Sequence, residues 1–281
     1  CGTAFLNNGG KMTEYNRIFS ADNEKIKLYR KLTDDKKARR KENKFTIEGA
    51  RLVSDAAAEA IELHSVFFTE SATEKYGEAL ELLFKTYPQK IFSIISEELA
   101  KELSETKMPQ GIFAVCSMPK RDKAQTYSKI KKGSRVLILD NIQDPGNMGT
   151  MLRTADACGI DCVVLCGCCD IYNPKTVRSA MGSIMRVEAV TDDVENAVSE
   201  MKLRSLPVFA AVISDTARSL TDCDFSQGGA VMIGNEGNGL SDYDASLADI
   251  PLTIKMHGTI NSLNAAMAAG IIMWELSKTS E

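Results

Sequence analysis

Arg153 lies in the segment 141–159 (NIQDPGNMGTMLRTADACG), which reads as a turn, a helix start at Asp144-Pro145-Gly146-Asn147 and a helix closed by Gly159. A helix start exposes backbone amides, and a guanidinium one to two turns later adds a planar fork of donors. Together they suit an anionic oxygen such as a phosphate. Taken alone, the segment is equally an N-capped helix with a surface arginine. A second cluster, Gly234-Asn235-Glu236-Gly237-Asn238-Gly239-Leu240-Ser241, sets the Glu236 carboxylate among glycines that let a ligand approach the backbone. It has neither GxGxxG nor GxxxxGK[ST] spacing, and a plain strand-to-helix turn also accounts for it. The third, 250–269 (IPLTIKMHGTINSLNAAMAA), ends in Ser262-Leu263-Asn264, either end of which can cap the alanine-rich helix that follows. Capping does not explain why each cluster puts a glycine-containing polar loop and a helix start directly beyond an apolar strand.

Those strands are near-continuous apolar runs at 135–139, 162–166, 208–213, 230–233 and 250–254. Such runs suit strands covered on both faces in a parallel sheet. Helical patterns at 147–158, 174–181, 194–206, 240–248 and 264–277 alternate with them. The alternation predicts an α/β fold with its ligand at the carboxyl ends of the strands. The first part of the chain mixes helices over 50–61 and 73–86 with strands over 64–68, 90–95 and 112–116. The polar stretch 119–134 divides the two, giving domains over 12–118 and 135–281 with a linker between them.

With 281 residues, 44% of them hydrophobic, the chain is long enough for two ordinary domains with full cores. No stretch approaches the roughly 18–20 apolar residues of a membrane span. Residues 1–11 lack the pattern of a secretory signal and read as an added segment or a misplaced start ahead of Met12. A net charge of −4 argues against coating nucleic acid through bulk charge. Locally the balance reverses, since 25–44 holds ten Lys/Arg against three acids. This is either a solvated face or a phosphate-contacting arm that includes Arg39, Arg40, Lys41 and Lys44. Four cysteines crowd 162–169, where adjacent Cys168 and Cys169 suit neither a disulfide framework nor paired zinc knuckles. They read as small buried hydrophobes in a reducing cytoplasm, with no metal. His64 and His257 stand alone, and neither is assigned catalysis.

In order, the three clusters resemble the motifs of the SpoU (TrmH-type) RNA 2′-O-ribose methyltransferases of the SPOUT superfamily. Asn147-x-Gly149 with Arg153-Thr154-Ala155 is similar to the first motif, Ile233-Gly234-Asn235-Glu236-Gly237 to the second and Ser262-Leu263-Asn264 to the third. Asn173-Pro174-Lys175 and Met181-Gly182-Ser183 resemble the stretch between motifs. More weakly, Phe45-x-Ile47-Glu48-Gly49 and Pro109-Gln110-Gly111-Ile112 resemble an L30e-like substrate-binding domain. One departure is Lys255, where the family commonly has proline.

The resemblance implies a deep trefoil knot in the C-terminal domain, S-adenosylmethionine as cofactor, a homodimer and an RNA substrate, ribosomal 23S RNA first. By that analogy Ile233, Gly234, Asn235, Gly237, Ile254, Met256 and Leu263 hold the cofactor. Arg153 acts on ribose and phosphate, and Asn147, Glu236, Ser262 and Asn264 orient it. Met267, Ile271, Met273 and Trp274 supply either dimer interface or core. A tRNA substrate, or an RNA-binding assembly protein that keeps the fold without catalysis, are the alternatives. Retention of Arg153, Glu236 and Asn264 together speaks against the second. A doubly wound oxidoreductase lacks its glycine fingerprint here.

Overall fold

The computed structural model describes residues 15–278, together with the short antiparallel strands Phe5–Leu6 and Met12–Thr13. The remainder of the 1–11 segment lies outside the described residues. The chain divides into two compact units, one of Cys1–Pro119 with Tyr172–Met185, the other of Lys120–Ile171 with Arg186–Glu281.

The first unit is built on five strands in the order Asn16–Ile18, Phe92–Ile95, Leu63–Phe68, Ile112–Ser117 and Lys44–Glu48. The first three are parallel, and Ile112–Ser117 runs antiparallel to both its neighbours. The helix Glu24–Asp34 starts where Asn23 accepts from Lys25 N, and its Ile26, Tyr29 and Leu32 face the sheet. There they join Phe67, Phe113, Val115 and Leu99 in one buried cluster. Three-residue spacing places them on a single helix face.

The second unit is a seven-stranded sheet, parallel at every pairing. Its order is Ala189–Asp192, Cys162–Cys166, Arg135–Asp140, Gly229–Ile233, Val208–Ala211, Ile250–Thr253 and Arg218–Ser219. Leu137, Val163 and Val231 on the inner strands are wholly buried, as strands covered on both faces require. Sequence order reverses between Arg135–Asp140 and Gly229–Ile233, so the carboxyl ends of these two strands flank the switch point where such sheets hold ligands.

Two expectations about domain organisation need correction. The supposed linker 119–134 contains the helix Lys123–Lys129, capped by Asp122. Tyr127 is buried in the core of the second unit, and its hydroxyl donates to Asp192 at 2.7 Å. Lys123 Nζ and Asn196 Nδ2 bond the same carboxylate at 2.8 and 2.6 Å. One aromatic side chain and one carboxylate thus hold a segment whose composition is that of a linker. The second correction is that Tyr172–Met185 belongs to the first unit, where the Tyr172 ring lies 5.0 Å from that of Phe45.

Among the described residues no helix is long and apolar enough to cross a membrane, and no group of three His, Cys, Asp or Glu is arranged to hold a metal. The described cysteines are free thiols, and burial pushes those of Cys162 and Cys168 up to about 12.

Candidate active site at the carboxyl edge of the parallel sheet

The helix Pro145–Ala157 begins directly beyond the strand Arg135–Asp140. Asp144 caps it by accepting from Asn147 N at 2.8 Å, and Pro145 fills a first-turn position that needs no donor. Glu236 reaches this helix start from the next strand's loop. Its carboxylate accepts from Asp144 N at 2.9 Å, Gln143 N at 3.2 Å and Asn147 Nδ2 at 3.2 Å. Partial burial works the other way, but these bonds hold its carboxyl below the usual carboxylate range.

The loop that carries Glu236 is organised by its neighbour. Asn235 Oδ1 accepts from Gly237 N and Asn238 N at 2.9 and 3.3 Å, while Nδ2 donates to Asn141 O at 2.9 Å. Asn235 and Gly239 exchange backbone bonds at 3.1 and 2.9 Å, which folds the loop back on the strand end. A Cβ on Gly234 would fall 2.2 Å from Gly239 C and from Leu240 N, so only glycine permits this return. The Asn235 side chain is thus engaged in shaping the loop.

Asn264 brings in the third segment. Its Oδ1 caps the helix Ala265–Ser277 through Ala266 N and Met267 N at 2.9 and 3.2 Å, and its Nδ2 donates to Asn147 Oδ1 at 3.0 Å. The two helices run side by side in the same direction, with Gly270 facing Thr154. Their amino ends meet where Glu236 sits, so two helix dipoles present their positive ends to one place. A hydrogen-bonded chain Glu236–Asn147–Asn264 thus connects all three clusters.

Two predicted members stand outside that chain. Arg153 is exposed on the Pro145–Ala157 helix and makes no hydrogen bond or ion pair among the described residues, so its guanidinium is free for a ligand. Ser262 is exposed and likewise unbonded. Ile233 and Gly234 are buried at the strand end, whereas Ile254, Met256 and Leu263 are half-buried on the 254–263 loop. Sequence reading missed Gln143, whose amide holds Glu236 and whose side chain donates to Asn141 Oδ1 and Gly167 O at 2.7 and 3.0 Å. Nothing in its residue type distinguishes it from any loop glutamine.

The basic arm divides. Arg39 is 2% exposed and cannot reach a ligand. Its Nη1 donates to Leu32 O at 2.6 Å and Thr33 O at 2.9 Å, tying down the last turn of Glu24–Asp34. The chain breaks at Asp35, which caps the helix Lys36–Glu42, and there Ala38 and Arg39 are buried. Arg40 and Lys41 are exposed and Lys44 half-buried, and none of the three makes a side-chain hydrogen bond or ion pair among the described residues. Met273 is likewise core, fully buried, whereas Met267, Ile271 and Trp274 are exposed.

Comparison with known proteins agrees with this geometry. Residues 134–274 match the SpoU rRNA Methylase family, and residues 23–114 match the MRM3-like substrate binding domain. The chain is 35% identical to the 23S rRNA (guanosine(2553)-2′-O)-methyltransferase RlmP of Bacillus subtilis, over 92% of this chain and 98% of that protein. It is 28% identical to the 23S rRNA (uridine(2479)-2′-O)-methyltransferase of Streptomyces viridochromogenes, over 95% and 93%. The crystal structure of AdoMet-bound rRNA methyltransferase from Sinorhizobium meliloti superposes with a TM-score of 0.81 at 25% identity, covering 95% of this chain and 99% of that one. The fold and site define an RNA methyltransferase built on a parallel α/β sheet. The chain belongs to the SpoU rRNA methylase family.

Proposed function

We propose that the protein transfers a methyl group from S-adenosylmethionine to a ribose 2′-hydroxyl of 23S ribosomal RNA. The observation that carries this reading is the Glu236–Asn147–Asn264 chain, which draws three segments far apart in sequence into one site on the helix that also carries Arg153, a residue with no hydrogen bond or ion pair among the described residues. The substrate follows from the relatives, two of which are named for 2′-O-methylation of 23S rRNA. In the division of labour, the first unit binds RNA and the second carries the methyl transfer. The second part has the family's trefoil knot, and the first an L30e-like fold. Met267, Ile271 and Trp274, exposed at helical spacing on the last helix, form the face on which two copies pair.

S-adenosylmethionine supplies a methyl group on a sulfonium that is already a good leaving group. The protein's task is alignment, which is worth several kcal/mol. Backbone groups of the Gly234–Gly237 turn and of the 254–263 loop hold the cofactor. Glu236 keeps the helix start and the glycine turn in register, and Asn147 and Asn264 lock the third segment against them. Arg153 grips the phosphate beside the target ribose with its planar fork and sets the hydroxyl in line. The hydroxyl proton leaves to that phosphate or to solvent.

The test is methyl transfer from labelled S-adenosylmethionine to 23S rRNA transcribed without modifications, followed by mapping of 2′-O-methyl sites. A single labelled ribose position is expected. Label on a base, or on tRNA in preference to 23S rRNA, would overturn the assignment.

A further inference from the structure

His64 is one of two histidines in the chain, and no motif singles it out. It lies on the strand Leu63–Phe68, whose pairing with Ile112–Ser117 shifts register between Leu63 and Ser65. His64 is therefore the extra residue of a β-bulge, a distortion that re-aims the side chain it carries. Its Nε2 lies 2.8 Å from Ser117 Oγ, and Ser117 Oγ donates to Glu62 Oε2 at 2.9 Å.

Counting hydrogens settles the tautomer. An ionised carboxylate only accepts, so the single Ser117 hydroxyl proton goes to Glu62 and Ser117 Oγ accepts from the ring. A neutral His64 then carries its proton on Nε2 and presents Nδ1 as a bare acceptor. Nδ1 has no partner among the described residues and is not among their buried unbonded side-chain atoms, so water reaches it. Burial and the nearby Lys44 ammonium both lower the His64 pKa, with Glu62 opposing, and the ring stays neutral near pH 7.

Lys44 is the cross-strand partner of Ser117, so its side chain leaves the same face of the sheet. The helix Lys36–Glu42 leads into Lys44 through Asn43, and its Arg40 and Lys41 are exposed with no side-chain partner among the described residues. An acceptor nitrogen thus stands within electrostatic reach of the Lys44 ammonium, which makes no ion pair among the described residues and continues a cationic strip. A bare phosphate or an acidic peptide would meet the Nδ1 lone pair and Glu62 as repulsion. A hydroxyl donor next to an anion fits both groups. The RNA backbone offers that pair at every nucleotide and DNA does not.

Resting on the reading of the first unit as an RNA-binding domain, we propose that the Lys44–His64 edge is an RNA-backbone site. Lys44 holds a phosphate there, and His64 Nδ1 accepts from an adjacent ribose 2′-hydroxyl.

The experiment measures binding of an rRNA hairpin made in ribo form and in 2′-fluoro form, which keeps the helix but has no hydroxyl proton to give. One neutral hydrogen bond is worth about fivefold in affinity. The ribo preference of the wild-type protein should shrink by about that factor in His64→Leu and return in His64→Gln, whose side-chain oxygen also accepts. Lys44→Ala should weaken both forms equally and reduce the salt slope by about one. An unchanged ribo preference in His64→Leu, no return in His64→Gln, or an unchanged slope in Lys44→Ala would overturn the proposal while leaving RNA binding intact. Wild-type protein that binds no rRNA would instead overturn the RNA-binding reading beneath it.

Discussion

Asn264 Nδ2 donates to Asn147 Oδ1 at 3.0 Å across 117 residues of chain. Asn264 serves two helices at once, because its Oδ1 also caps Ala265–Ser277. Asn264→Asp separates these tasks. The cap survives, so the denaturant midpoint should move little, while two oxygens now face each other across the link to Asn147. Asn264→Ala should lose both, with the cap alone costing about 1 kcal/mol. A double-mutant cycle of Asn147→Ala with Asn264→Asp, read in methyl transfer, should show strong non-additivity. Additive losses would mean that the two amides act separately.

Arg153 is exposed and makes no hydrogen bond or ion pair among the described residues, so its replacement should leave the fold alone. Arg153→Ala is expected to cut single-turnover methylation by several orders of magnitude, more than about 4 kcal/mol of barrier. Arg153→Lys should fail nearly as badly, because a point charge does not reproduce a bidentate fork. Calorimetric S-adenosylmethionine affinity should stay near wild type in both. Near-normal turnover in either variant would return the catalytic assignment to Glu236 or Asn264.

Glu236 sets a pH dependence whose sign follows from its hydrogen bonds. A carboxyl held below its ordinary value contributes stability above the unfolded pKa of about 4.3 and loses it as pH falls through the folded value. Cofactor affinity should therefore be flat from neutral pH down to about 5 and decline only in more acid solution. Glu236→Gln has one acceptor for the amides of Gln143 and Asp144 and should bind weakly at all pH values, without the acid limb. An acid limb unchanged in this variant would assign it to another group.

Arg39 and its neighbours should behave as different kinds of residue. Arg39→Ala removes a buried guanidinium from two helix-end carbonyls and should destabilise the first unit by about 2–3 kcal/mol. Replacing Arg40 and Lys41 together should change the unfolding free energy in urea by less than about 0.5 kcal/mol. That pair should instead reduce the salt slope of RNA binding by about one for each phosphate no longer neutralised. A stable Arg39→Ala protein with weakened RNA binding would reverse this division.

Periodicity alone determined much of the second unit. Runs such as 135–139 and 162–166 have no polar face to offer water, so they predict strands covered on both sides, and they became inner strands of a parallel sheet. The helix starts at Asp144 and Asn264 were legible too, because capping is chemistry between residues two or three apart. Family motifs then marked Asn147, Glu236 and Asn264 as companions. Only the tertiary structure decided how they meet, since a hydrogen bond between Asn147 and Asn264 depends on strand order and helix packing that no local pattern encodes. The same holds for Arg39, which has the residue type of a phosphate contact and the surroundings of a structural tie. It holds as well for Tyr127, which with Asp192 turns a linker-like segment into part of the core. His64 is the extreme case, because its role depends on one register shift between two strands about fifty residues apart, and nothing in its own neighbourhood announces it.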